Sequence, residues 1–125
     1  MERISDPASP RILLVEDDVT LLSLMRAVLS GAGYQVDEVL SAEEAQQRVE
    51  KDGHRYDLAV TDLHLGEDTC LALIEQLKSV NSRARILVTT GGDDEGSPHG
   101  CPVLQKPFRP GELLRAVQEL LAEPR

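Results

Sequence analysis

At 125 residues the chain has the length of one domain, and folding at this size buries roughly two-thirds of the unfolded surface, enough for a real core. Hydrophobic residues at 41% and charged residues at 28% exclude a disordered chain. With no apolar run long enough to span a bilayer and no signal-peptide core, a cytoplasmic protein without a membrane partner is expected. A formal net charge of −9 disfavours nucleic acid and anionic membranes and favours cationic or metal partners.

Met1 to Pro10 is polar and carries two prolines, so a flexible N-terminal arm (1–10) ahead of one domain (11–123) is expected. Arg11 to Val15 is a continuous apolar run, the pattern of a strand (β1) buried on both faces, and it runs into Glu16-Asp17-Asp18. Leu21, Leu22, Leu24, Met25, Val28 and Leu29 repeat at helical spacing and stop at Gly31 and Gly33. Tyr34 to Val39 alternates apolar and polar residues, as an edge strand (β2) does. Ser41 with Glu44 reads as a capping box, Ala42, Ala45 and Val49 as the buried face of a second helix, and Gly53 as its end.

Leu58 to Thr61 (β3) is apolar and presents Asp62 at its carboxyl end. After Gly66 the spacing predicts a helix from about Thr69 to Val80 that buries Leu71, Ile74 and Leu77. Ile86 to Val88 (β4) leads into Thr89-Thr90. Gly91 to Pro102 then holds four glycines, two prolines and no apolar residue before Cys101. Val103-Leu104 (β5) ends at Gln105-Lys106-Pro107, and Pro110 opens a last helix with Leu113, Leu114, Val117, Leu120 and Leu121 on its apolar side. Cys70 and Cys101 have neither CxxC nor zinc spacing and read as a reduced pair.

Strands alternating with helices imply a doubly wound α/β domain. The most apolar strands, β1, β3 and β4, belong in the centre and the polar β2 and short β5 at the edges. A five-stranded parallel sheet in the order 2-1-3-4-5, the flavodoxin-like arrangement, satisfies this. Its ligand crevice lies at the carboxyl ends of the strands, at the switch point between β1 and β3. Glu16, Asp17, Asp62, Thr89 and Lys106 all fall on that rim. Neighbouring carboxylates stay ionised only if a cation offsets their repulsion, and oxygen ligands with open positions suit Mg2+. Asp17 and Asp62 read as direct ligands and Glu16 as one acting through water. Lys106 and the Thr89 hydroxyl could then hold an anion on Asp62, which together makes a site for a transferring phosphoryl group.

Ile12-Leu13-Leu14-Val15-Glu16-Asp17-Asp18, Tyr56-Asp57-Leu58-Ala59-Val60-Thr61-Asp62, Ile86-Leu87-Val88-Thr89-Thr90 and Lys106-Pro107-Phe108 resemble the receiver domain of bacterial two-component response regulators, over nearly all of Arg11 to Leu121. The resemblance implies that Asp62 is the phosphoacceptor in a histidine-to-aspartate phosphorelay, charged by a sensor histidine kinase or a histidine phosphotransfer protein. It further implies that the backbone carbonyl of His64 is a Mg2+ ligand and that Lys106-Pro107 is a cis peptide. The sequence also departs from the family. Val103 replaces the aromatic residue that receivers usually carry three before the lysine. Thr90 stands where Ala or Gly is usual, and Gly66 and Cys70 stand where proline and glycine are common. Gly91 to Pro102 is too short for the usual fourth helix with its loops, so that helix is expected to be missing or shortened. The surface left there is expected to mediate self-association or docking.

Two other functions compete with this switch, whose only chemistry would be self-catalysed phosphoryl transfer and autodephosphorylation. A degenerate receiver would bind a partner without phosphorylation. A phosphatase of the haloacid-dehalogenase kind would need a second acid two residues after the nucleophile, where this chain has His64.

Overall fold

The structure, a computed structural model, describes residues 9–65, 68–92 and 98–123. Five strands form one parallel sheet: β1 (Arg11–Val15), β2 (Gln35–Val39), β3 (Leu58–Asp62), β4 (Arg85–Thr90) and β5 (Val103–Gln105). Their order is β2-β1-β3-β4-β5, as the polarity of the strands predicts. Period-two side-chain alternation sends Ile12, Leu14, Leu58, Val60 and Leu87 to one face and Leu13, Val15, Ala59, Ile86 and Val88 to the other. The first face packs on α1 (Val19–Gly31) and α4 (Pro110–Ala122), the second on α2 (Ala42–Asp52) and α3 (Leu71–Val80). A continuous apolar strand is therefore what each central position requires.

The helix starts follow local chemistry. Asp18 caps α1, taking the Leu21 N–H at 3.1 Å. Ser41 takes the Glu44 N–H at 3.1 Å, but the Glu44 carboxylate reaches past the cap to the Leu40 N–H at 3.0 Å, so the expected capping box is displaced by one residue. Gly53 follows α2 for a reason of space. A Cβ there would lie 2.7 Å from Val80 Cγ2 and 3.0 Å from Val49 Cγ1, so α2 and α3 can approach only over a glycine.

Two sequence expectations need correction. The third helix begins at Leu71, two residues late, because Asp68–Thr69 pairs with His64–Leu65 in a small antiparallel ribbon. Its buried face is Leu73, Ile74 and Leu77, and Leu71 is exposed. On α1 the buried set is Leu22, Met25 and Leu29, while Leu24 faces outward at 46% exposure. In both helices the apolar residues exceed what one packed stripe can cover.

Between β4 and β5 the described residues carry one 3-10 turn, Pro98–Gly100, where a full helix would otherwise cross over. The expected self-association surface there falls partly on residues 93–97, outside the described residues, as do Gly66 and most of the expected N-terminal arm.

Asp37, midway along β2, accepts the Tyr56 hydroxyl at 2.8 Å through Oδ2 and pairs with Arg11 at 3.0 Å. Burial, then the bond to Asp37, raises the Tyr56 pKa, so the hydroxyl stays protonated throughout the physiological range. Asp37→Ala would leave that fully buried hydroxyl unpaired. A loss of about 2 kcal/mol is expected in urea unfolding, and Tyr56→Phe in the same background should recover part of it.

Candidate functional site

Glu16 and Asp17 follow β1 directly, Asp62 closes β3, Thr89 lies beside it on β4 in register, and Lys106 follows β5. Parallel strands deliver all five to one rim. One carboxylate oxygen from each of Glu16, Asp17 and Asp62 lies within 4.8 Å of the others. The Lys106 Nζ sits 2.9 Å from Asp62 Oδ2 and 2.9 Å from Glu16 Oε1. Glu16 Oε2 accepts the Asp18 N–H at 2.9 Å.

The three acids differ in exposure. Glu16 is buried, 1% exposed, and Asp62 9%, while Asp17 is exposed. Desolvation raises the Glu16 pKa, against the opposing pull of the Asp18 N–H and Lys106. For Lys106 burial acts downward, yet its bonds to Asp62 and Glu16 together outweigh it and the pKa ends raised. The lysine is therefore a fixed ammonium bridging two carboxylates.

Thr89 is 1% exposed and its hydroxyl has no hydrogen-bond partner. A hydroxyl buried without a protein partner costs about 1–3 kcal/mol. Beyond Asp62 the chain enters the His64–Leu65 ribbon, and the His64 side chain is exposed. The peptide Lys106-Pro107 is cis. Thr90, which is 6% exposed, turns its hydroxyl to the Gly92 N–H at 3.0 Å, and Val103 is 41% exposed.

Sequence reasoning missed a cleft beside the acids. Asp18, Thr20, Leu21 and Leu24 of the α1 end face Lys106, Pro107 and Phe108 across a cavity of about 490 Å³. The surplus apolar residues on α1 were its one signal. Both cysteines are buried and neither forms a disulfide; desolvation pushes the Cys70 thiol up to about 11, which leaves it unreactive at neutral pH.

A profile of the response regulator receiver domain matches residues 12–118. The regulatory protein VanRB of Enterococcus faecalis is 30% identical over 118 residues, which cover 90% of this chain and 53% of that protein. The response regulator receiver protein of Sinorhizobium medicae superposes with a TM-score of 0.81 at 26% identity, covering 93% of this chain and 97% of that one. The chemotaxis response regulator CheY4 of Vibrio cholerae superposes with a TM-score of 0.78 at 25% identity, covering 90% and 99%. The chain spans about half the length of the curated relatives it matches. Among the described residues, no helix is long and apolar enough to cross a membrane.

Proposed function

The chain belongs to the response regulator receiver domain family, and from that premise we propose that Asp62 accepts a phosphoryl group from a phosphohistidine on a sensor histidine kinase or phosphotransfer protein. The observation that carries this reading is Asp62 itself, held 2.9 Å from the Lys106 ammonium with two further carboxylates beside it.

The donor set fits a hard divalent cation. Oxygens of Glu16, Asp17 and Asp62 converge within 4.8 Å, and one lysine does not balance three acids. Asp17 and Asp62 would hold Mg2+ directly, with the His64 backbone carbonyl as a further oxygen ligand; Glu16, engaged with Lys106 and the Asp18 N–H, would act through water. Bound there, Mg2+ would supply positive charge to the phosphoryl oxygens. An Asp62 oxygen attacks phosphorus in line as the P–N bond of a phosphohistidine protonated on its other ring nitrogen breaks, and neutral imidazole leaves with the electron pair. Lys106 turns its ammonium from the Asp62 carboxylate to a phosphoryl oxygen, and Glu16 keeps that ammonium within reach. The Thr89 hydroxyl donates to a second phosphoryl oxygen. The product is an acyl phosphate, and its loss to water resets a switch rather than completing an external turnover.

The test is incubation with Mg2+ and either acetyl phosphate or beryllium fluoride, with the adduct mapped by peptide mass and by amide shifts. An adduct at Asp62 is the expected result. Steady hydrolysis of external phosphomonoesters without a retained adduct would favour the phosphatase reading instead.

The apolar cleft beside Lys106 is where a helical phosphodonor would rest. Leu24→Glu is expected to slow transfer from a protein phosphohistidine by about 30-fold, as for a central interface anchor, while labelling by acetyl phosphate is unchanged. Equal loss with both donors would remove the cleft from the account. A net charge of −9 disfavours nucleic acid as a partner of this domain, so the partners proposed are proteins.

A further inference from the structure

In a sheet ordered β2-β1-β3-β4-β5 the connections from β3 to β4 and from β4 to β5 run in the same direction, and right-handed crossovers put both on one face. A helix between β4 and β5 would therefore lie beside α3, but among the described residues only the turn Pro98–Gly100 is there. The seat left behind is a groove of about 560 Å³. Its walls are Ile74 and Lys78 of α3, Ile86 near the start of β4, Cys101 and Pro102 ahead of β5, and Leu120 of α4. Charges of both signs stand around it: Glu75 on α3 beside Lys78, and Arg85 paired with Glu123 at 2.9 Å.

Parallel strands all start at one edge of the sheet, so the entry to β1 and the mouth of this groove share that edge. Asp57 links the two, its N–H donating to the Arg11 carbonyl at 2.9 Å and its carbonyl accepting the Arg85 N–H at 3.0 Å. Just before β1, the carbonyls of Ser9 and Pro10 are held by Gln35 at the start of β2. From there to Arg85 is three strand spacings, about 14 Å. Met1 to Ala8, outside the described residues, can reach about 26 Å when extended. The composition of this segment matches the groove as well. Met1 and Ile4 are its large apolar residues, Arg3 suits Glu75 and Glu123, and Asp6 suits Lys78. We propose that Met1 to Ala8 docks in the groove between α3 and the start of β5, with Ile4 as its anchor, and covers the face that a crossover helix would otherwise cover. The contact is made by the chain with itself and is independent of the chemistry at Asp62.

Paramagnetic relaxation in the full chain tests this. Glu2→Cys takes a nitroxide label selectively, because Cys70 and Cys101 are both buried. The amides of Ile86, Cys101 and Leu120 are expected to lose most of their signal, while Val36 and Glu38 at the opposite edge of the sheet lose markedly less. Adding Ile4→Asp to the labelled chain should restore the groove signals. Deleting Met1 to Ala8 from an unlabelled chain should shift the same three amides. Stronger broadening at Val36 and Glu38 than in the groove, or even broadening over the whole surface, would overturn the docking. Groove broadening that survives Ile4→Asp would overturn the role of Ile4 as anchor. Broadening seen only when a labelled chain is mixed with an isotopically enriched, unlabelled one would assign the groove to a second copy and overturn the contact within the chain.

Discussion

Asp62→Asn is expected to form no adduct with acetyl phosphate or beryllium fluoride, at a cost to stability of no more than about 1 kcal/mol. Both halves follow from the same geometry. The amide is not a nucleophile and takes one negative charge from the three converging acids of the metal set, so the chemistry stops. Stability is spared because Lys106 keeps its second partner, Glu16, at 2.9 Å, and the acidic cluster loses one repulsive charge. Mass analysis after acetyl phosphate and urea unfolding of the same preparation check the two halves. A retained adduct on the Asn chain would place the acceptor elsewhere. A loss of several kcal/mol would mean that the ammonium depends mainly on Asp62.

Lys106→Met should behave in the opposite way. It leaves Glu16, which is 1% exposed, and Asp62 without their shared cation, and removing one member of a buried ion pair costs more than the pair contributes. Because the lysine is itself 22% exposed, a loss of about 2–3 kcal/mol is expected rather than the full buried-pair value. Millimolar Mg2+ should restore part of it by supplying the missing positive charge, and the chain should label slowly if at all.

The pH dependence has a definite sign. Glu16 already lies above its ordinary value of 4.5 because burial desolvates the anion. A group whose folded pKa is raised contributes stability that is present below the unfolded value and lost as pH rises through the folded one. Without Lys106 the shift grows, so the deficit of the Met variant should shrink as pH falls from neutral toward 4.5. In the parent chain Lys106 is raised too; its contribution is present below its ordinary 10.5 and fades only as pH climbs through the higher folded value. Urea midpoints at neutral and acid pH, with and without Mg2+, check this. A deficit that widened in acid would show that carboxylate repulsion is not its cause.

Much of the sheet was legible in the residues. Ile12 to Val15, Leu58 to Val60 and Ile86 to Val88 are apolar throughout, and only the centre of a parallel sheet buries both faces of a strand. Placing them there forces Gln35 to Val39 and Val103 to Gln105 to the edges. The candidate site was legible for a related reason: in a parallel sheet every carboxyl end points the same way, so chain order alone puts Glu16, Asp17, Asp62, Thr89 and Lys106 on one rim. Helix faces were less legible. The periodicity of α1 and α3 admits more apolar residues than either helix buries: Leu71 reads as inward yet faces out, and Leu24 is exposed although it shares the spacing of its buried neighbours.

The sequence by itself therefore determined the strand order, the rim and the kinds of chemical group on it, because these depend on pattern and direction alone. Only the tertiary structure decided how the charge is distributed there. It buries Glu16 under Lys106, leaves Asp17 exposed, and buries the Thr89 hydroxyl beside Asp62. It also decided that Gly53 serves close packing and that Thr90 and Gln105 meet on Gly92. Those outcomes turn on distances of a few ångströms between segments far apart in the chain, and local periodicity carries no record of such distances.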